Sequence, residues 1–148
     1  MEIINGIFLG AVVGLIIALP VIISEIFRRG KNLPLIVDIE TIGDKKNTPM
    51  EVFVMSLLAH EAMAMLFGGL YMGLVDAGIY FHDFTARSLA TYAFLFWILI
   101  GAIVCPLISL GFFGRREGRW VWLELLIAHH LFGLGLWFAI RLFPVFIP

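Results

Sequence analysis

Hydrophobic positions in this chain fall in long unbroken runs rather than in alternation. Such runs extend over 3–27, 50–75, 88–113 and 120–143, with polar separators that are short except for 28–49. A bilayer core about 30 Å thick is crossed by roughly 20 mostly apolar helical residues. A membrane barrel would instead alternate with period two over about ten residues. The pattern therefore predicts an all-α integral membrane bundle of four transmembrane helices, one domain over residues 1–148.

Local signals sharpen the helix ends. Thr48-Pro49-Met50-Glu51 has the form of a capped start, with proline at the first helical position and a glutamate able to complete a capping box. Pro20 and Pro106 are expected to kink the first and third spans. The 28–49 segment predicts a tethered loop on the cytoplasmic surface. Leu35, Ile36, Ile39 and Ile42 fit one face of a short helix, while Val37 and Ile39 alternating with Asp38 and Glu40 fit a strand. Periodicity does not decide at that length. The first span lacks a basic leader, carrying only Glu2, and no small-residue cleavage site follows it, so it is expected to stay in the mature protein.

Small residues predict close packing. Gly6, Gly10, Gly14 and Ala18 recur at steps of four on the first span, and Ala62, Gly69 and Gly73 form a similar stripe on the second. Residues four apart stack on one helix face, and small ones let a second backbone approach. The first stripe predicts a helix–helix interface, within the chain or between two copies.

Composition agrees with the pattern. The chain is 61% hydrophobic and 14% charged, against about half and a quarter in soluble domains. That balance excludes a soluble enzyme and a disordered chain. A net charge of −1 leaves no basic surface for nucleic acid. The single cysteine, Cys105, excludes an internal disulfide and any cysteine-based zinc or iron–sulfur site within one chain. Arg28, Arg29, Lys31, Lys45, Lys46, Arg115, Arg116 and Arg119 all fall on one side of the predicted membrane, and only Arg87 and Arg141 on the other. Basic loops stay cytoplasmic, which predicts both termini on the non-cytoplasmic side. Trp120 and Trp122 then sit at the inner interface, and Tyr80, Phe81 and Phe84 at the outer one.

Ionisable residues inside a bilayer are costly and point to function by default. The second span carries His60 and Glu61; the fourth carries Glu124, His129 and His130. His60 and His129 each lie roughly 15 Å from the inner end of their spans, at about 1.5 Å per residue. His60, Glu61, His129 and His130 thus fall in one layer. At about 100° per residue, neighbours such as His129 and His130 cannot point the same way, so one or two residues per helix converge. Glu124 lies on another face from either histidine.

Three chemistries compete for this layer. The first is a polar site binding or passing a small ligand, ion or proton, with Glu61 exchanging the proton and a histidine passing it on. Four helices are few for a transport path, which points to a homodimer or a larger membrane complex. The second is a haem b anchor or electron-transfer subunit held by His60 and one of His129 or His130. The run His129-His130-Leu131-Phe132-Gly133 resembles fragments of cytochrome-b-type membrane anchors over those few residues. The third is a metal enzyme, ranked lower because no HExxH spacing is present. Met63 and Met65 point to opposite sides of a helix and cannot chelate copper as a pair; with Met55 and Met72 they are expected to fill packing gaps. A purely structural subunit is the background expectation. In the outer loop, Asp76, His82, Asp83 and Arg87 offer an external mouth, although Asp83 or Thr85 capping the third helix accounts for them more simply.

Overall fold

The computed structural model describes residues 2–26, 41–42, 45–81 and 83–143. Expectations that rest on Arg28, Arg29, Lys31, the 33–40 segment and His82 lie outside the described residues. Four helices dominate: α1 Glu2–Ile26, α2 Pro49–Asp76, α3 Ala86–Leu107 and α4 Val121–Leu142. Each is long and apolar enough to cross a membrane. Before α2, Thr41–Ile42 pairs antiparallel with Lys45–Lys46 in a two-residue ladder.

The helices run up and down as a ring. Gly68 lies against Gly6 and Gly10, so closely that a Cβ on Gly68 would strike the Gly6 carbonyl oxygen. Gly10 meets Ala64, and Gly14 meets Ala64 and Glu61. The Gly6/Gly10/Gly14 stripe is therefore occupied by α2 of the same chain. Gly133 of α4 packs on Ala93 and Leu89 of α3, and Gly135 packs on Val13 of α1. Where glycines are absent, aromatic rings fill the gap. Phe67 of α2, only 2% exposed, stands edge-on to Tyr92 (4.6 Å), Phe96 (5.0 Å) and Phe132 (4.8 Å). It joins α2 to both α3 and α4.

Hydrogen bonds between helices fix the register. Tyr92 Oη donates to the Phe67 carbonyl at 3.0 Å, and Trp97 Nε1 donates to the Trp122 carbonyl at 3.1 Å. Tyr71 Oη donates to the Asp83 carbonyl at 2.8 Å and lies 3.0 Å from Ser88 Oγ. At the start of α2 both halves of the capping box are made: Glu51 N donates to Thr48 Oγ1 and Thr48 N to Glu51 Oε2. Thr85 caps α3 by accepting from Ser88 N.

Two expectations need correction. The third span ends at Leu107, not at Phe113. Its α-helical part, Ala86–Leu99, passes into a π turn at Ile100–Val104 and one last α turn at Cys105–Leu107. Pro106 would clash with the carbonyl four residues back in an unbroken helix, and the wider turn just before it relieves that contact. The chain then reverses through positive φ at Ser109 (68°), Gly111 (77°) and Phe113 (54°). Phe113 folds back onto Gly101 and lies 4.7 Å from the Trp97 ring. Its apolarity serves that packing rather than an extension of the span. Phe81 likewise faces inward. It is 6% exposed, with its ring 5.6 Å from Tyr92 and 5.9 Å from Tyr71, while its neighbour Tyr80 is 72% exposed. The loop after α2 turns back across the bundle end and plugs it.

Candidate functional site

The middle of the bundle is where all four helices contribute to one level. Gly14 is the central residue of the 25-residue α1. His60, Phe96 and His129 lie roughly 12–17 Å into α2, α3 and α4 at about 1.5 Å per residue, close to half of a core about 30 Å thick. His60 and His129, from helices that are not consecutive, line the same cavity of about 70 Å³. Met63, Phe67, Phe96 and Phe132 share its lining, and it stays partly open.

Each histidine is held by a backbone carbonyl. His60 Nε2 lies 3.1 Å from the Gly14 oxygen, across the α1–α2 contact. His129 Nδ1 lies 2.7 Å from the Leu125 oxygen, one turn back on its own helix. A carbonyl oxygen only accepts, so the bonded nitrogen carries the hydrogen. In the neutral ring the other nitrogen then holds a lone pair: Nδ1 in His60 and Nε2 in His129. No described residue donates to either. The Phe96 ring lies 5.7 Å from the His129 ring and the Phe67 ring 6.4 Å from it, which fixes the imidazole from its sides.

Glu61 faces away from this cavity, toward α1. A Cβ on Gly14 would lie 3.0 Å from Glu61 Oε2 and 3.2 Å from Oε1. Glu61 Oε1 is buried with no hydrogen-bond partner among the described residues. His60 and Glu61 therefore grip Gly14 together, one through its carbonyl and one beside its Cα.

Comparison of the chain with known protein families, with curated proteins and with solved structures gives no match.

Other predicted residues lie elsewhere. His130 points off the shared cavity and bonds the Leu126 carbonyl through Nδ1 at 2.9 Å, as the helical rotation from His129 requires. Glu124 is half-buried in the first turn of α4. In the loop between α2 and α3, Asp83, Thr85 and Arg87 border a shallow hollow of about 290 Å³. Asp83 Oδ1 there is already taken by the Thr85 hydroxyl at 2.9 Å, and Asp76 is not in the lining. The haem alternative finds no hollow of cofactor size between His60 and His129. Cofactor pockets run from about 300 Å³ upward, several times the cavity between His60 and His129, and aromatic side chains occupy the space around it. Among the described residues no three His, Cys, Asp or Glu side chains converge on a metal-sized site.

Sequence reasoning missed three participants. The Gly14 carbonyl carries no side-chain signal at all. Met63 was read as a gap-filler, although His60 and Met63 at i and i+3 share a helix face. Trp137 Nε1 is buried without a partner among the described residues, with the Arg141 guanidinium 5.5 Å from its ring; the i, i+4 spacing puts that pair on one helix face, but nothing in it marks a buried unpartnered nitrogen.

Proposed function

We propose that this protein is a multi-pass membrane protein whose bundle centre takes up a small cation, the proton first among them, and passes it between His129, His60 and Glu61. One observation carries the reading: His60 and His129 line a single small cavity at mid-depth, each with one ring nitrogen committed to a carbonyl and the other left as an acceptor. His60 Nδ1 and His129 Nε2 are two acceptors without a donor among the described residues on one largely apolar hollow, and a single shared donor, whether a proton, a water or a cation, would satisfy both. The space suits this role. A cavity of about 70 Å³ exceeds the roughly 10–15 Å³ that one water needs, and it is too small for an organic substrate. Glu61 extends the polar path to α1, where its buried oxygen is one more acceptor without a donor.

The same reading orients the chain. Lys45, Lys46, Arg115, Arg116 and Arg119 flank the end of the bundle where α2 and α4 begin, and the positive-inside rule makes that end cytoplasmic. Both termini then lie outside. In a Cys105→Ala background, an impermeant maleimide added to intact cells labels Asp83→Cys and not Arg115→Cys; the reverse pattern overturns the orientation.

Function is tested in proteoliposomes loaded with a pH-sensitive dye and driven by a potassium diffusion potential. The wild type acidifies the lumen faster than protein-free vesicles do, and His60→Gln and His129→Gln abolish the difference. Glutamine keeps a donor for the backbone carbonyl but does not titrate. Wild-type vesicles no leakier than empty ones, or a glutamine double variant as active as wild type, end the reading.

A further inference from the structure

The donor set of the central cavity is more selective than a proton site requires. Its lining offers two neutral imidazoles, His60 and His129, and one thioether, Met63. The remaining walls are aliphatic and aromatic: Ala64, Phe67, Phe96, Ala128 and Phe132. None of the lining side chains carries an oxygen, so hard cations that prefer oxygen find no side-chain ligands there. Zinc sites use three or four ligands, typically from cysteine, histidine and carboxylates, and the described residues provide no such convergence.

We infer that this cavity is a binding site for a soft monovalent metal ion, Cu(I), ligated by His60 Nδ1, His129 Nε2 and the Met63 sulfur. The inference rests on the reading above that the cavity takes a cation, and it names that cation's class. Thioether and imidazole together select Cu(I). The lone pairs stand on the required atoms because each ring's other nitrogen is tied to a carbonyl, the arrangement that orients metal-ligating histidines. His60 and Met63, one helical turn apart on α2, present two donors from one face, and His129 supplies the third from α4. The largely apolar lining suits an ion content with few ligands. Cu(I) in neutral donors leaves one positive charge in a low-dielectric interior. The carboxylate of Glu61, next in sequence to His60 and with a buried unpartnered oxygen, is the counter-charge at hand.

The test is a competition in detergent micelles under ascorbate, in which wild-type protein draws Cu(I) from a coloured bicinchoninate complex. The wild type takes up one equivalent per chain. Met63→Leu, which conserves volume, and His129→Gln each weaken binding by at least the ~10–100-fold that loss of an outer-shell partner costs. X-ray absorption shows a sulfur neighbour to the wild-type metal. In the dye-loaded vesicles, one equivalent of Ag(I), a redox-inert substitute, stops proton uptake by occupying the same lone pairs. If the wild type leaves Cu(I) with the chelator while its proton flux persists and resists Ag(I), this inference fails and the proton reading stands. If metal-free wild type passes no protons, the earlier reading fails on its own ground. Binding by Met63→Leu equal to wild type, or a metal with nitrogen neighbours only, overturns the proposed donor set.

Discussion

Gly68→Ala against Gly73→Ala isolates what holds α1 to α2. Both glycines lie on the α1-facing side of α2, and both substitutions add one methyl group in a helix. A Cβ on Gly68 would run into the Gly6 carbonyl oxygen and lie 3.0 Å from Gly10 Cα and 3.1 Å from Gly10 N. Every one of those atoms is backbone, so α1 itself must move. A Cβ on Gly73 would meet only the Ile3 side chain, Cγ1 at 3.3 Å and Cδ1 at 3.4 Å, and a half-exposed isoleucine gives way by rotating. Both variants gain the helix preference of alanine over glycine, about 1 kcal/mol in water, so that gain cancels in the comparison.

What remains is the steric cost at Gly68. Overpacking a close contact costs typically about 1–3 kcal/mol. Pushing α1 outward also stretches the His60–Gly14 bond, and hydrogen bonds between membrane helices are worth about 0.6 kcal/mol on average. Gly68→Ala is therefore expected to be about 2–3 kcal/mol less stable than Gly73→Ala. Since about 1.4 kcal/mol is tenfold, the folded-to-unfolded ratio differs by roughly 30-fold to more than 100-fold. Reversible unfolding in mixed micelles, titrated with dodecyl sulfate and followed by tryptophan fluorescence, measures the difference. Equal midpoints for the two variants would refute the claim that backbone contact at Gly68 seats α1.

Three further outcomes follow from single contacts. Tyr92→Phe keeps its ring in the Phe67 cluster but loses the bond to the Phe67 carbonyl; it should cost about 0.5–1.5 kcal/mol in the same assay, and no measurable loss would mean that the bond contributes nothing. Thr48→Ala removes one half of the capping box and should cost about 1 kcal/mol, seen as faster amide exchange confined to the first turn of α2. Gly101→Ala places a methyl group into the Phe113 ring, so it should release the turn after α3, shift Trp97 fluorescence and raise protease cleavage between residues 108 and 118; an unchanged digest would contradict the fold-back of Phe113.

The helices were legible because the signal for crossing a membrane is coarse. Length and apolarity suffice, and α2 and α4 begin and end within a residue or so of where the hydropathy runs do. The same coarseness misplaced the end of α3. Phe112 and Phe113 continue an apolar run, and nothing in their composition says that Ser109 and Gly111 turn the chain back beneath it. Phe81 was assigned to the interface for a similar reason, since an aromatic residue near a span's end looks the same whether it faces headgroups or plugs the bundle. At the centre, matched depth put His60 and His129 in one layer, and the helical rotation separated His130 from His129. Neither argument reached the partner of His60, because a backbone carbonyl at position 14 is written in no side chain.

That missing partner joins two features which the sequence presents as separate, a stripe for packing and a set of ionisable groups for chemistry. Within a helix a carbonyl already accepts from the residue four positions on, and a side chain from a neighbouring helix reaches its second lone pair only if the backbones come close. Gly10 against Ala64 and Gly68 against Gly6 bring α1 that close. His60 Nε2 then finds the Gly14 oxygen, and the absence of a side chain at Gly14 leaves room for the Glu61 carboxylate beside it. Tethering Nε2 of His60 to α1 determines that Nδ1 is the nitrogen left free. The glycine stripe thus does more than bind two helices: by setting the distance between them it selects the histidine tautomer, and with it the donor atom that the central cavity can offer.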